Sequence, residues 1–232
     1  MRRVLLAAGL LLTGCSSVQP ALRDRTNALL SDYRSRAPAR IPQPEAHGPR
    51  PWEPGQYVVY AVVRDGAPGL IRYAVEERGP EGVWLGIEEL SYTKKSLWRV
   101  LLARQPASPA EAVTLARKAI VQADDQGTRI YDFEGDSSAV VAKMREAMAP
   151  LWAGFLPAPA GNTRSTVNAA AGRFEGATET QVTLHVLGVV SDFSGHRHDA
   201  VPLTGLVDGK TADQRASIEL VEFGEDAASP LF

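Results

Sequence analysis

The 232-residue sequence contains one cysteine, Cys15. A single thiol excludes a disulfide within the chain, a paired-cysteine redox motif and a multi-cysteine zinc site. The apolar run at the start, Val4 to Thr13, is ten residues long. A helix needs about 20 such residues to cross roughly 30 Å of hydrocarbon, so this run targets but does not span. Basic residues are not in excess, 25 against 27 acidic, which leaves no positive field for nucleic acid. The sequence has no glycine-rich phosphate loop, no HExxH and no GxSxG; without these local signatures the expectation is a protein that is not an enzyme and holds neither cofactor nor metal. Hydrophobic residues make up 44% of the chain, which suits an ordinary folded body.

Met1-Arg2-Arg3 precedes the apolar run and Leu12-Thr13-Gly14-Cys15 closes it. A positive start, a short apolar stretch and small residues before a cut are the layout of an export signal. The tetrapeptide resembles the lipobox of bacterial lipoproteins. That resemblance implies cleavage before Cys15, acylation of its thiol and then of its amine, and a membrane anchor of two or three chains, enough for stable attachment. Losing Arg2 and Arg3 with residues 1–14 leaves 23 basic and 27 acidic residues, a formal charge of −4. Ser16 follows the cysteine where an aspartate would retain such a protein at the inner membrane of enteric bacteria. The expected location is therefore the outer membrane, facing the periplasm or the cell surface.

Residues 15–37 form the anchor region with a short helix. Leu22, Thr26, Leu29, Leu30 and Tyr33 recur at spacings of three and four, a narrow stripe that packs on the body or lies on a membrane. Residues 38–54 carry six prolines in 17 positions. This composition predicts a stiff extended linker of up to roughly 50 Å at ~3.1 Å per residue, lifting the body away from the bilayer.

The body, 55–232, opens with strand-like segments at 56–64, 70–78, 83–92 and 96–104, separated by short turns that imply an antiparallel meander. Ser108-Pro109-Ala110-Glu111 reads as a capping box for a helix to about Arg117. A strand pair follows at 119–122 and 128–133. Asp136-Ser137-Ser138 caps a second helix with Val140, Val141, Met144, Met148, Leu151 and Trp152 on one face, limited by Pro150 to roughly three turns. Further strands are expected at 173–177, 179–190, 199–207 and 215–223, with a turn at Asp208-Gly209-Lys210.

Both faces of the first strand are apolar, with Tyr57, Val59 and Ala61 on one and Val58, Tyr60 and Val62 on the other; neither can lie against water. The expected fold class is α+β, strand-dominated, with a curved and mainly antiparallel half-barrel-like sheet and two inserted helices, although an ordinary two-layer sandwich would give the same mixture of faces.

Trp52-Glu53-Pro54-Gly55-Gln56-Tyr57-Val58-Val59-Tyr60, Ile71-Arg72-Tyr73 and Val83-Trp84-Leu85, with Gly172 to Gly176, Val201 to Val207 and Glu219 to Gly224 near the end, resemble the strands of envelope lipoproteins with an outer-membrane lipoprotein-carrier-like half-barrel. The resemblance implies an incomplete barrel holding acyl chains. Its apolar cavity would be lined here by Tyr60, Trp84, Trp98, Met144, Met148 and Trp152. The implied partners are a membrane through the lipid anchor, an apolar ligand such as a lipid, or an envelope protein in the alternative reading of a structural lipoprotein without a cavity. Asp192, His196, His198 and Asp199 lie within eight residues and read either as a hairpin tip or as metal ligands, the former favoured. His185 reads as a rim or core histidine. Glu76-Glu77 and Glu88-Glu89 each split across two strand faces, as solvated or edge-protecting charges.

Overall fold

The computed structural model describes residues 17–44, 50–123, 127–135, 138–153, 163–187, 189–226 and 230–232. Cys15 and the export segment lie outside them. The chain begins with helix α1 (Pro20–Ser35) and a short strand β1 (Ala39–Ile41). A meander follows: β2 (Tyr57–Arg64), β3 (Ala67–Gly79), β4 (Gly82–Ser91) and β5 (Lys95–Leu102). Helix α2 (Pro109–Leu115) leads to β6 (Ala116–Ala123), β7 (Gly127–Asp132) and helix α3 (Ala139–Ala153). The last third holds β8 (Arg164–Ala169), β9 (Gly172–Val186), β10 (Val189–Arg197), β11 (Leu206–Lys210) and β12 (Ala216–Gly224).

The strands form one open curved sheet in the order β1-β9-β10-β11-β12-β2-β3-β4-β5-β6-β7, with β8 paired to β9. Every pairing is antiparallel except β1 with β9. Register shifts interrupt β3 at Val75/Glu77 and β12 at Leu220/Glu222; such bulges bend a strand and raise its twist.

The two apolar faces of β2 enter two separate cores. Val58, Tyr60 and Val62 join Ile71, Tyr73, Val75, Leu85, Ile87, Val100, Phe174 and Phe193 in the larger one, covered by α2 and α3. Tyr57, Val59 and Ala61 join Leu70, Ala74, Leu90 and Val221 in the smaller one, covered by Leu30 and Tyr33 of α1 and by Leu231. The stripe of α1 is thus buried on the body and is not a membrane-binding face. Gln19 N and Nε2 donate to Tyr92 O (2.8 Å) and Thr93 O (3.2 Å), Tyr92 Oη donates to Asn27 Oδ1 (2.6 Å), and Arg36 pairs with Asp32 and Glu222. Desolvation at this interface, reinforced by the Glu222 carboxylate, pushes the Tyr33 hydroxyl up to about 12.

The proline-rich stretch is not a free spacer over its described residues. Ala39–Ile41 pairs with Gly172–Phe174, and Trp52 is 2% exposed with its backbone N–H on Gln105 Oε1 at 3.0 Å. Extended prolines fit an edge strand as readily as a linker, and the large indole of Trp52 gains by burial. At α2, Ser108 Oγ accepts from Glu111 N at 3.2 Å, as the capping box requires. Ser138 caps α3 by accepting from Val141 N at 3.3 Å. The helix runs past Pro150 to Ala153, since a proline in the last turn removes only one backbone bond.

Glu88 and Glu89 are not solvated edge charges, because β4 is an interior strand and both are 4% exposed. Glu88 pairs with Arg72 at 2.5 Å and accepts from Leu231 N at 2.6 Å; Arg25 Nε donates to Leu231 O at 3.0 Å. The final residues are thereby strapped between α1 and the sheet. Removing one partner of a buried ion pair strands the other charge, typically at ~3–5 kcal/mol, whereas an apolar replacement of both is close to neutral. Glu88→Gln is expected to lower the unfolding free energy by about that amount in urea titration, and Arg72→Met with Glu88→Leu to recover most of it. Equal stability of Glu88→Gln and the parent would contradict the pairing.

Candidate functional site

Residues directly opposite in antiparallel strands share a face. Tyr60 faces Ile71, Tyr73 faces Ile87, and Ile87 faces Trp98, which defines the concave surface. Tyr60, Met148 and Trp152 are 0% exposed there, and Trp98 and Met144 pack half-buried against the same core. Trp84 does not join them. Val83, Leu85 and Ile87 face the large core, so the period-2 alternation of β4 turns Trp84 to the other face. There Arg99 stacks over its ring at 5.2 Å while pairing with Glu76 at 2.5 Å. Five of the six expected cavity residues are therefore brought together.

Among the described residues, the chain's own side chains occupy the concave face. Met148, Trp152 and Val141 enter from α3, Ala112 from α2, and Val201 and Leu203 from the loop between β10 and β11. That loop takes the place of a strand expected at 199–207. Leu203 sits at φ +62 with its side chain 8% exposed, a left-handed conformation held by burial. Gly205, at φ +67, leaves room for the Arg197 guanidinium, whose Nη2 would lie 2.5 Å from an added Cβ. Burial lowers the Arg197 pKa, opposed by Asp199 and Tyr60.

Polar groups are distributed through this interior. Tyr60 Oη bonds Thr204 Oγ1 and donates to Leu206 O at 2.9 Å, and the Tyr60 and Tyr73 rings meet edge to face at 6.2 Å. Burial raises both phenol pKa values, and the Glu89 carboxylate raises that of Tyr73 further. Glu89 itself accepts from Ser96 Oγ at 3.3 Å and lies 3.5 Å from Lys94 Nζ. Nothing in the sequence pattern pointed to Thr204, Arg197 or Glu89 as interior groups.

The histidine and aspartate cluster is not at a hairpin tip, because β10 runs from Val189 to Arg197 and the turn lies at Leu187. Each member is separately engaged. His196 Nδ1 meets Asp208 Oδ1 at 2.7 Å, Asp192 accepts from Thr183 Oγ1 at 2.6 Å, and Asp199 accepts from Gln43 Nε2 at 2.9 Å. Asp208–Lys210, expected as a turn, belongs to β11. Among the described residues no three His, Cys, Asp or Glu side chains converge as a metal site would need. The side chain of His185 lies outside the described residues.

At the end of the sheet where β2 turns into β3 there is an open cleft of about 430 Å³, lined by Arg64, Asp65, Asp192, Asp213 and Arg215 among others. It exists because β11 stops at Lys210, opposite Ser194, and leaves Val189–Phe193 paired only to β9. Its charges are already matched: Arg215 pairs with Asp65 at 2.6 Å, and Asp213 is held below the usual carboxylate range by the Thr211 hydroxyl and the Arg215 amide.

No family model matches the chain, and no curated protein does. Two solved structures are similar in part. One is the hypothetical protein CT021 from Chlamydia trachomatis, at 13% identity over 76% of this chain and 90% of that one, with a TM-score of 0.38. The other is MucB in complex with MucA(peri), at 13% identity over 91% of this chain and 58% of that one, with a TM-score of 0.28. Scores at this level carry neither fold nor function across. Among the described residues no helix is long and apolar enough to cross a membrane.

His198 is 2% exposed against the Phe174 ring, with centroids 5.3 Å apart. Its Nδ1 accepts from Ala200 N at 3.2 Å, so the neutral ring carries its proton on Nε2 and donates to Glu175 O at 3.0 Å. Burial lowers its pKa below the ordinary 6.5, outweighing the raising effects of the Glu175 carbonyl and Asp199. Below 6.5 the unfolded chain takes a proton that the folded chain refuses, so this residue makes stability fall on acidification and rise with pH up to about 6.5. The difference in urea midpoint between pH ~7 and pH ~5 should shrink in His198→Gln. An unchanged difference would contradict the assignment.

Proposed function

We propose that the chain is an envelope lipoprotein, acylated on Cys15, whose half-barrel body recognises protein rather than carrying lipid. The observation that supports this reading is the state of the concave face. Tyr60, Met148, Trp152 and Phe174 are 0% exposed, so the described interior is occupied by the chain's own bulky groups. A ligand site is normally a concavity of ~300–1,000 Å³ that buries most of its ligand, largely against apolar walls. The cleft beside Asp65 and Arg215 is open and carries charged side chains on its walls.

Recognition then falls to the surface. Strand β7 ends the sheet, and Thr128, Arg129 and Ile130 along it are exposed, Ile130 by 62%. An edge strand with free backbone donors and acceptors can accept an extended peptide as a further strand.

Native mass spectrometry with lipid extraction, on the full mature chain purified from an envelope, tests the choice. The expected mass is that of the acylated polypeptide alone, unchanged when phospholipid is offered. Stoichiometric extractable lipid beyond the anchor would overturn the reading in favour of a carrier. A photo-crosslinking residue at Ile130 should give a discrete protein adduct in intact envelopes, with none from the exposed turn residue Glu81; equal labelling from both sites would contradict the edge.

A further inference from the structure

The large apolar side chains left exposed among the described residues are not scattered. They are Val18 (52%), Ile130 (62%), Val140 (66%), Val189 (36%), Val190 (47%) and Phe232 (39%). Four of these six belong to one end of the sheet, around the turn between β4 and β5. Val18 adjoins Gln19, whose two hydrogen bonds end on Tyr92 and Thr93 of that turn. The Phe232 ring lies 5.4 Å from Nζ of Lys95, at the start of β5. Val189 and Val190 stand at the tip of the β9–β10 hairpin, beyond the last β11 partner. The hairpin tip reaches the same turn, since Leu187 Cδ1 lies 3.0 Å from where a Cβ on Gly69 would be, and Gly69 faces Ser91. Isolated exposed apolar residues are ordinary; their collection at one end is not.

That end is also where an anchor would leave the body. Gln19 is the fourth residue after Cys15, and four extended residues reach at most about 14 Å. The proline-rich stretch cannot add to this reach. It follows α1 in the chain, and its described ends are docked through β1 and Trp52.

We infer that this end of the sheet, carrying Val18, Lys94, Lys95, Val189, Val190 and Phe232, is a membrane-contact face that lies in the lipid interface. The inference rests on the proposed acylation of Cys15. Lys95, over the Phe232 ring, and Lys94, 40% exposed beside Glu89, flank these apolar side chains, a combination that suits a phospholipid surface, with ammonium groups at the level of the phosphates and apolar groups below them. The acids of the neighbouring turns are engaged within the protein, Asp65 with Arg215 and Asp213 with Thr211. The edge of β7 and the opposite turns at 79–82, 103–108 and 198–205 are left to the periplasmic side.

The test is hydrogen exchange on the full lipidated chain in bilayers of phosphatidylethanolamine and phosphatidylglycerol, compared with the same chain in detergent. The acyl mass on the peptide that starts at Cys15 is recorded in the same experiment. The expected result is exchange slowed on the order of tenfold at 92–95 and 189–191, with 79–82 and 199–205 unchanged, and loss of that slowing in Val189→Asp/Val190→Asp/Lys94→Glu/Lys95→Glu. An acylated chain with equal exchange at both ends, or slowing only when envelope proteins are present, would overturn the membrane face and leave the anchor standing. A chain without acyl mass would overturn both.

Discussion

The central strands β2, β3 and β4 are buried on both faces over most of their length, and the rest of the structure depends on that constraint. A sheet solvated on one side reads as a clean alternation; Tyr57–Val62 has six consecutive residues that are 9% exposed or less. Each face must be covered. On the concave side the cover is made of α2, α3, the 198–205 loop and the long β9–β10 hairpin. On the convex side it comes from the two extremities of the described chain, α1 and Leu231. At ~25 cal/mol per Å² of apolar area removed from water, neither cover can be given up cheaply.

This requirement bears on the proposed anchoring of the chain. Because α1 is the convex cover, the segment before it is held to the β4–β5 turn and not tethered through a flexible stem. With Cys15 acylated as proposed, the three residues 16–18 would separate the anchor from the packed Gln19. The buried Arg72–Glu88 pair sits on the same convex side and holds Leu231 N, while Arg25 of α1 holds Leu231 O, so the two covers of this face are joined through a short polar network in an apolar layer.

Much of the architecture was legible in the sequence. The meander was written in short turns such as Asp65-Gly66 and Gly79 to Gly82, and the double burial of β2 in its uninterrupted apolar run. Both helices of the middle third announced themselves through Ser108 and Ser138. What escaped has identifiable causes. Arg164–Ala169 is polar and pairs at the margin of the sheet, so β8 carries little periodicity. The break at Leu187, at φ +49, was overlooked because the apolar run from Val182 to Val190 outweighed the single turn signal of Gly188. Proline content pointed to an extended linker over 38–54 but not to the docking of Ala39–Ile41 on β9. Glu88 looked like a surface charge because its partner Arg72 is sixteen residues away, across the β3–β4 register. Of the expected concave residues, Trp84 alone was assigned to the wrong face; aromaticity was weighed there above the alternation of its own strand.

The account's central claim is that α1 is part of the fold and not a stem. Equilibrium urea unfolding and binding of an apolar dye, measured on the mature chain and on the same chain starting at Pro38, test it most directly. The account predicts a markedly lower unfolding midpoint and strong dye binding for the shortened chain, as Val59, Leu70 and Leu90 lose their cover. Equal midpoints with no dye binding would contradict it.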